Sequence, residues 1–223
     1  MSIKECMSRF TNLESKSILH VIAKTILGSI LASDGLLNDS LTALIPSMLI
    51  SPIGSLLIKT AITIIEIFYN PKTQMTNSFK MIYHFLVIIL ITIGIGFIYG
   101  YLYNKYKPQK LPSKEMKSRS TSKGLIETTI IVLACAYAFP WASKNNDITT
   151  LISIGIATAL LPPLVNIGLV EGSYRSNPSS YENKNILSTS KKYGLIIFAI
   201  NAIGLTAGSI IYFIYYCKKR LIR

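Results

Sequence analysis

The chain has 223 residues, 50% of them hydrophobic and only 15% charged, with a formal net charge of +13. Its mean hydropathy of +0.45 excludes a disordered chain and is too apolar for one water-soluble core of this length, so the composition calls for a bilayer. The basic excess lies in loops and tails rather than along one folded face, which points to membrane orientation and lipid headgroups as partners and away from nucleic acid.

Residues 1–17 form a polar tail of mixed charge. The apolar stretch after it lacks a small-residue cleavage pattern, so no cleaved signal peptide is expected. A spanning helix needs roughly 20 apolar residues to cross about 30 Å of hydrocarbon, and the chain offers six such stretches in turn. Segment one, residues 18–37, carries His20, Lys24 and Asp34. Lys16, His20 and Lys24 recur every four residues on one helix face. Side chains so near a helix end are expected to snorkel to headgroups, with a proton or anion relay as the sharper alternative. Asp34 and Asp39, at the far end, read as solvated loop acids.

Segment two, residues 41–70, is interrupted by Pro46, Ser51-Pro52 and Gly54. A proline removes an amide donor and crowds the carbonyl four residues earlier, so the Met48 carbonyl is expected to be freed beside Ser47, Ser51 and Ser55. Bare carbonyls cannot face hydrocarbon, and such a break must be buried, satisfied by hydroxyls or set beside water. Lys59 and Glu66, further along, are seven residues apart and too distant to be expected to pair directly. Segment three, residues 81–104, holds an interfacial His84 and the step Gly96/Gly100.

A basic connection, residues 105–123, follows with Lys105, Lys107, Lys110, Lys114, Lys117, Arg119 and Lys123 against the single acid Glu115. These seven are candidate contacts for anionic lipid or an acidic partner, against ordinary charge bias of a cytoplasmic loop. Segment four, residues 128–143, is the shortest. Segment five, residues 148–170, has Pro162-Pro163 near its middle, so that the Thr158 and Ala159 carbonyls are expected to be freed, with Asn166 close by. Segment six, residues 193–217, buries Asn201, whose carboxamide needs a partner in lipid, and the step Gly204/Gly208. Both glycine steps suit close helix contact, within one chain or between copies in a homo-oligomer.

Residues 45–53 can be laid on residues 156–164, with Ile45/Ile156, Leu49/Leu160 and Pro52/Pro163 identical, and each break is the middle segment of a group of three. Paired breaks in matching places of two halves are the sequence pointer to a solute or ion site near the midplane, and two proline-kinked helices packed together are the bland alternative. The candidate site residues are therefore Ser47, Met48, Ser51, Pro52, Ser55, Thr158, Ala159, Pro162, Pro163, Asn166 and Asn201, with structural glue the expected role of Asn201.

The stretches 35–55 (GLLNDSLTALIPSMLISPIGS) and 153–169 (SIGIATALLPPLVNIGL), with Glu115 and Arg119 as an E-x-x-x-R element between them and Asn201 in the last segment, resemble the hydrophobic membrane proteins grouped as domain of unknown function 389. The resemblance implies a multi-pass fold and no established activity.

The expected architecture is an all-α integral membrane protein with about six helical segments in two related halves, 18–104 and 124–217, joined by the basic loop and flanked by tails 1–17 and 218–223. If all six segments cross, Lys and Arg divide evenly between the two faces. If segments two and five are re-entrant hairpins, both tails and the basic loop share one strongly basic face, and the charge bias selects this second topology. Cys6, Cys135 and Cys217 are odd in number, with no disulfide framework or metal spacing expected. No H-E-x-x-H, G-x-S-x-G or G-x-G-D element is present and the chain has two histidines, so neither catalysis nor a cofactor is expected. Transport of a small polar solute or ion is the first functional expectation, and a non-transporting scaffold or interaction module the second.

Overall fold

The computed structural model describes residues 18–69, 71–107, 111–118, 121–145, 147–180 and 184–221. Its helices are α1 (Ile18–Leu37), α2 (Leu41–Ile50), α3 (Ile53–Tyr69), α4 (Pro71–Tyr106), α5 (Lys114–Ser118), α6 (Ser122–Asn145), α7 (Ile148–Thr158), α8 (Leu161–Ser176) and α9 (Lys184–Leu221), with one 3-10 turn at Pro178–Ser180. No strand occurs among the described residues. The polar connections are shorter than the hydropathy suggests, because α8 and α9 together take in most of the second one and α9 also the first residues of the expected C-terminal tail.

Among the described residues, five stretches are long and apolar enough to cross a membrane: Ile18–Leu37, Leu41–Phe68, Phe79–Tyr106, Leu125–Asn145 and Ser188–Lys218. The sixth apolar segment is divided between α7 and α8, neither of which is long enough alone. The outward faces fit the same reading, since Leu90, Leu133, Ile203 and Ile211 are each about 70% exposed, an arrangement that suits lipid and not water.

Inside, buried Leu, Ile and Val residues pack among small and polar ones such as Ser29, Ser33, Ser47, Asn104, Asn166 and Ser173. In α8 every residue from Leu161 to Val170 is buried except Ile167, which is half-buried. Gly168 and Gly172 of α8 face the α4 backbone at Ile93 and Phe97, and Gly96 and Gly100 of α4 face α8 at Val165 and Leu169. A Cβ on Gly168 would lie 2.0 Å from the Ile93 carbonyl oxygen, and one on Gly172 2.1 Å from that of Phe97. Between helices in lipid there is no hydrophobic drive, so backbone approach of this kind supplies the packing. The Gly204/Gly208 step of α9 is likewise filled within the chain, against Val132 and Ala136 of α6.

These contacts fix the helix directions. Tyr99 and Tyr103 of α4 donate to Asp34 (3.0 Å) and Asn38 (2.7 Å) at the end of α1, so α1 and α4 run the same way. The connection after α4 folds onto that same end: Ser113 Oγ donates to the Leu36 carbonyl and the Glu115 amide to Asp39 (2.8 Å). Asn104 donates to the Ser173 carbonyl at 2.9 Å, which brings the end of α8 there too. The opposite face receives the ends of α3, α6 and α9, where Ile65 packs with Phe213 and Cys217, and Lys144 lies 3.8 Å above the Tyr216 ring.

The two-hairpin topology is thus corrected. Hairpins would set the 105–123 connection on the face where α1 begins, but Ser113 and Glu115 bond to the end of α1. Nor do the half-helices fold back on each other; α2 packs on α1 while α3 packs on α4 and α9, and α7 packs on α6 while α8 packs on α4 and α9. Each broken segment runs on through its bend from one end of the helix bundle to the other. The cysteine expectation is also corrected, for Cys217 is fully buried and disulfide-bonded, whereas Cys135 is free.

Candidate functional site

The first break follows from Pro52. The residue before a proline is driven out of the helical region, and Ser51 accordingly adopts φ −58°, ψ 130° after its amide has closed the last bond to the Ser47 carbonyl at 3.2 Å. Helix α3 restarts at once: the Pro52 carbonyl accepts from the Leu56 amide (3.2 Å) and from Ser55 Oγ (2.9 Å). Ser47 is fully buried and turns its hydroxyl back to the Leu44 carbonyl at 2.6 Å. Its own carbonyl lies 3.2 Å from where a Cβ on Gly28 would stand, so any larger residue there would push α1 and the break apart by a few tenths of an ångström.

The second break has a different cause from the one expected. Pro162 and Pro163 do not interrupt a helix; they occupy the first turn of α8, where an amide donor is not required. The chain leaves α7 three residues earlier, at Ala159, which takes the left-handed φ of 41° that a non-glycine residue adopts at a cost of about 1 kcal/mol. The overlay of residues 45–53 on 156–164 therefore does not superpose the breaks, because Ser51 falls on Pro162 rather than on Ala159.

Asn201 and Thr158, 43 positions apart, meet at this second break. Asn201 Nδ2 donates to the Thr158 carbonyl at 2.6 Å, and Thr158 Oγ1 turns to the Ile154 carbonyl at 2.9 Å. The expected orphan carbonyl is thereby satisfied by the expected buried carboxamide, and α9 is tied to the α7–α8 junction. Asn166 is also fully buried but belongs elsewhere, its Nδ2 lying 3.4 Å from the Met116 carbonyl of α5. The two side-chain oxygens, Asn166 Oδ1 and Asn201 Oδ1, have no hydrogen-bond partner among the described residues.

The two breaks share one cavity of about 320 Å³. Met48, Ser51 and Ser55 line it from the first break, Thr158 and Leu160 from the second, and Phe139, Ser143 and Lys59 close the sides. Ser47, Pro52, Ala159, Pro162, Pro163, Asn166 and Asn201 do not line it; they shape or brace the backbone around it. Lys59 is the residue that spacing alone did not assign to the site. Its register, seven residues after Pro52 on α3, was the available signal, because two helical turns bring it back to the face of the break.

Of the seven basic candidates, Lys105, Lys107, Lys114 and Lys117 are exposed near the end of α4 and on α5, with Lys107 5.8 Å from the Tyr103 ring. Lys110 and Arg119 lie outside the described residues, and so does the Lys123 side chain. Their connection is not a loose arm: Met116 is fully buried and Leu111 nearly so. Asp34 and Asp39, read as solvated, are the acceptors that hold α4 and α5 to α1. Near the same face, Lys191 and Arg175 (2.7 Å) hydrogen-bond Glu171, and these bonds, Lys191 first, hold its carboxyl below the usual glutamate range against a small opposing effect of burial. At the other face Asp147 caps α7, and its hydrogen bonds from the Thr150 hydroxyl (2.7 Å) and amide (3.1 Å) hold its carboxyl below the usual range.

A family profile for domain of unknown function 389 matches residues 48–211, from the first break to the last helix. The chain belongs to that family. An uncharacterised protein of Methanocaldococcus jannaschii is 27% identical over 206 residues, covering 92% of this chain and 56% of the relative. The chain thus spans about half the length of the curated relative it matches. No solved structure gives a significant match.

Proposed function

We propose that this member of the 389 family carries a small polar solute or ion across a membrane. The observation that carries the reading is the common cavity of the two breaks. In a bilayer, irregular backbone is tolerated where protein buries it or where it lines a water-filled space, and paired half-helices around a central site are the recurrent architecture of secondary transporters. The helix directions agree with that architecture, since α1, α2–α3 and α4 form one group of three crossings and α6, α7–α8 and α9 another that runs the opposite way. In this reading the halves are inverted repeats, Ser51, Ser55 and Thr158 face the solute, and Asn201 braces the second break.

A second reading rests on a separate observation, the exposed Lys105, Lys107, Lys114 and Lys117 on a folded connection. They suit anionic lipid headgroups and favour a lipid-contacting scaffold. Flux into proteoliposomes, compared with protein-free vesicles across cations, anions and neutral polyols, separates the two. Protein-dependent uptake of one solute class, altered by Ser55→Ala with Thr158→Val, is the expected result. Vesicles that admit none of these solutes would refute transport and leave the scaffold.

A further inference from the structure

A second cavity of about 200 Å³ adjoins the first break. His20 and Lys24 of α1 line one side of it, and Ser51, Pro52, Ser55 and Lys59 the other. Its position follows from the helix register. Gly28 of α1 lies against the Ser47 carbonyl and the Ser51 amide, so Lys24 and His20 stand one and two turns from the break, toward the face where α1 begins. Lys59, two turns into α3, rises in the same direction. The cavity is therefore a vestibule between that face and the break, and it shares Leu49, Ser51, Ser55 and Lys59 with the larger cavity beyond.

Its chemistry is one-sided. Two lysines and a histidine line it, and no Asp or Glu does so among the described residues. Two serines stand at its inner end: the Ser55 hydroxyl donates to the Pro52 carbonyl, while the Ser51 oxygen accepts from the Ile53 amide at 3.4 Å and has its own proton to donate. Cationic side chains placed together in so small a volume raise its potential for anions, and the Ser51 hydroxyl adds a directional donor for oxygen acceptors. Snorkelling explains His20 and Lys24 singly, but it does not explain why Lys59, on another helix, lines the same space.

We infer that this vestibule is a binding site for a small oxyanion, with Lys24 and Lys59 supplying the charge and the Ser51 hydroxyl a directional donor. The inference rests on the transport reading for its stronger form, in which the oxyanion is the solute carried and Lys59, common to both cavities, hands it from vestibule to break. The same chemistry would recognise the phosphate headgroup of an anionic lipid, so the source is decided by experiment.

Uptake of radiolabelled inorganic phosphate and sulfate is measured in proteoliposomes beside a rubidium and a glycerol arm, and lipid retained by the detergent-purified protein is measured by native mass spectrometry. Wild type should take up phosphate or sulfate. Lys24→Gln and Lys59→Gln should each lower uptake at least tenfold with unchanged gel-filtration profiles, and Lys59→Arg should retain it. If Lys59→Gln does not fold, half-buried Lys24 carries the test. No anion uptake, but rubidium or glycerol uptake indifferent to both Gln substitutions, would overturn the oxyanion site and leave transport standing. No uptake of any solute, with phosphatidic acid or phosphatidylglycerol retained by wild type and lost in Lys59→Gln, would uphold the site with a headgroup in it and overturn transport. Neither uptake nor retained lipid would overturn both.

Discussion

Replacing Gly168 by alanine tests whether the α4–α8 seam holds the molecule together. The added Cβ would stand 2.0 Å from the Ile93 carbonyl oxygen and 2.7 Å from the Phe97 amide nitrogen, where ordinary contact begins near 3.4 Å. Both obstacles are backbone, so no rotamer change relieves them and the helices must part by more than an ångström. Overpacking of this kind costs about 1–3 kcal/mol. A gap of 0.5–1 Å along the rest of the seam also forfeits roughly a quarter to a half of each van der Waals contact. Setting about 3 kcal/mol of loss against about 1 kcal/mol gained from better helix propensity leaves a net cost near 2 kcal/mol. For a chain of this length that lowers the melting temperature by about 4–8 °C. Gly94 on the same helix is the control, because a Cβ there meets nothing within 4 Å. Gly94→Ala should be neutral or raise the melting temperature slightly. Thermal denaturation in one detergent, followed by loss of the monodisperse gel-filtration peak, reads both. A Gly168→Ala protein that melts with or above wild type would refute the seam as the main scaffold.

Asn201→Leu leaves the buried Thr158 carbonyl without its donor, a loss of about 1–3 kcal/mol by the cost of an orphaned acceptor, or about 0.6 kcal/mol by the membrane average. Melting should fall by a few degrees with solute affinity unchanged, and an affinity change at constant melting temperature would make Asn201 a ligand instead. Glu171, whose carboxyl is held below the usual range, contributes stability that is complete above the unfolded value of about 4.3 and is lost as pH falls through the lower folded value. Melting curves taken from pH 6 downward should therefore show an acid-linked decline that Glu171→Gln reduces; an identical decline in both proteins would place its cause elsewhere. For topology, single cysteines at Lys114 and Ser179 in a cysteine-free background should react with an impermeant thiol reagent from the same side and one at Asn145 from the other. Lys114 and Ser179 reacting from opposite sides would restore the hairpins.

Much of the architecture is legible in hydropathy, because the demand that lipid makes on sequence is local: a stretch is apolar for a helix's length or it is not. The two breaks are legible for the same reason, since proline acts on its own neighbours. What proline does there is less so. In segment two it stops a helix at the preceding residue, and in segment five it starts one, so the same residue type marks opposite sides of a break. Thr158 and Asn201 could each be named as polar groups in need of partners, but that they answer each other depends on contact across 43 positions. Gly168 and Gly172 have the same four-residue spacing as Gly96 and Gly100, and pairing the two steps would have foretold the seam. Asp34 and Asp39 could not have been placed so, because their donors are 65 and 76 residues away.

The charge rule misled for a reason that bears on the fold itself. It orients a membrane protein only when one face carries more Lys and Arg than the other, and it favours hairpins here because they create such a face. In the six-crossing reading proposed above, the first group of three segments ends on the face where the second begins, so each half would meet the bilayer with the opposite sense. A bias that suits one half then works against the other, and an even division of Lys and Arg between the faces is what two opposed halves should carry. The even count that seemed to argue against six crossings is in this light an expected property of them. The basic residues are then free to be placed by local chemistry: exposed Lys105, Lys107, Lys114 and Lys117 at one face, and His20, Lys24 and Lys59 drawn inward around the first break from the other.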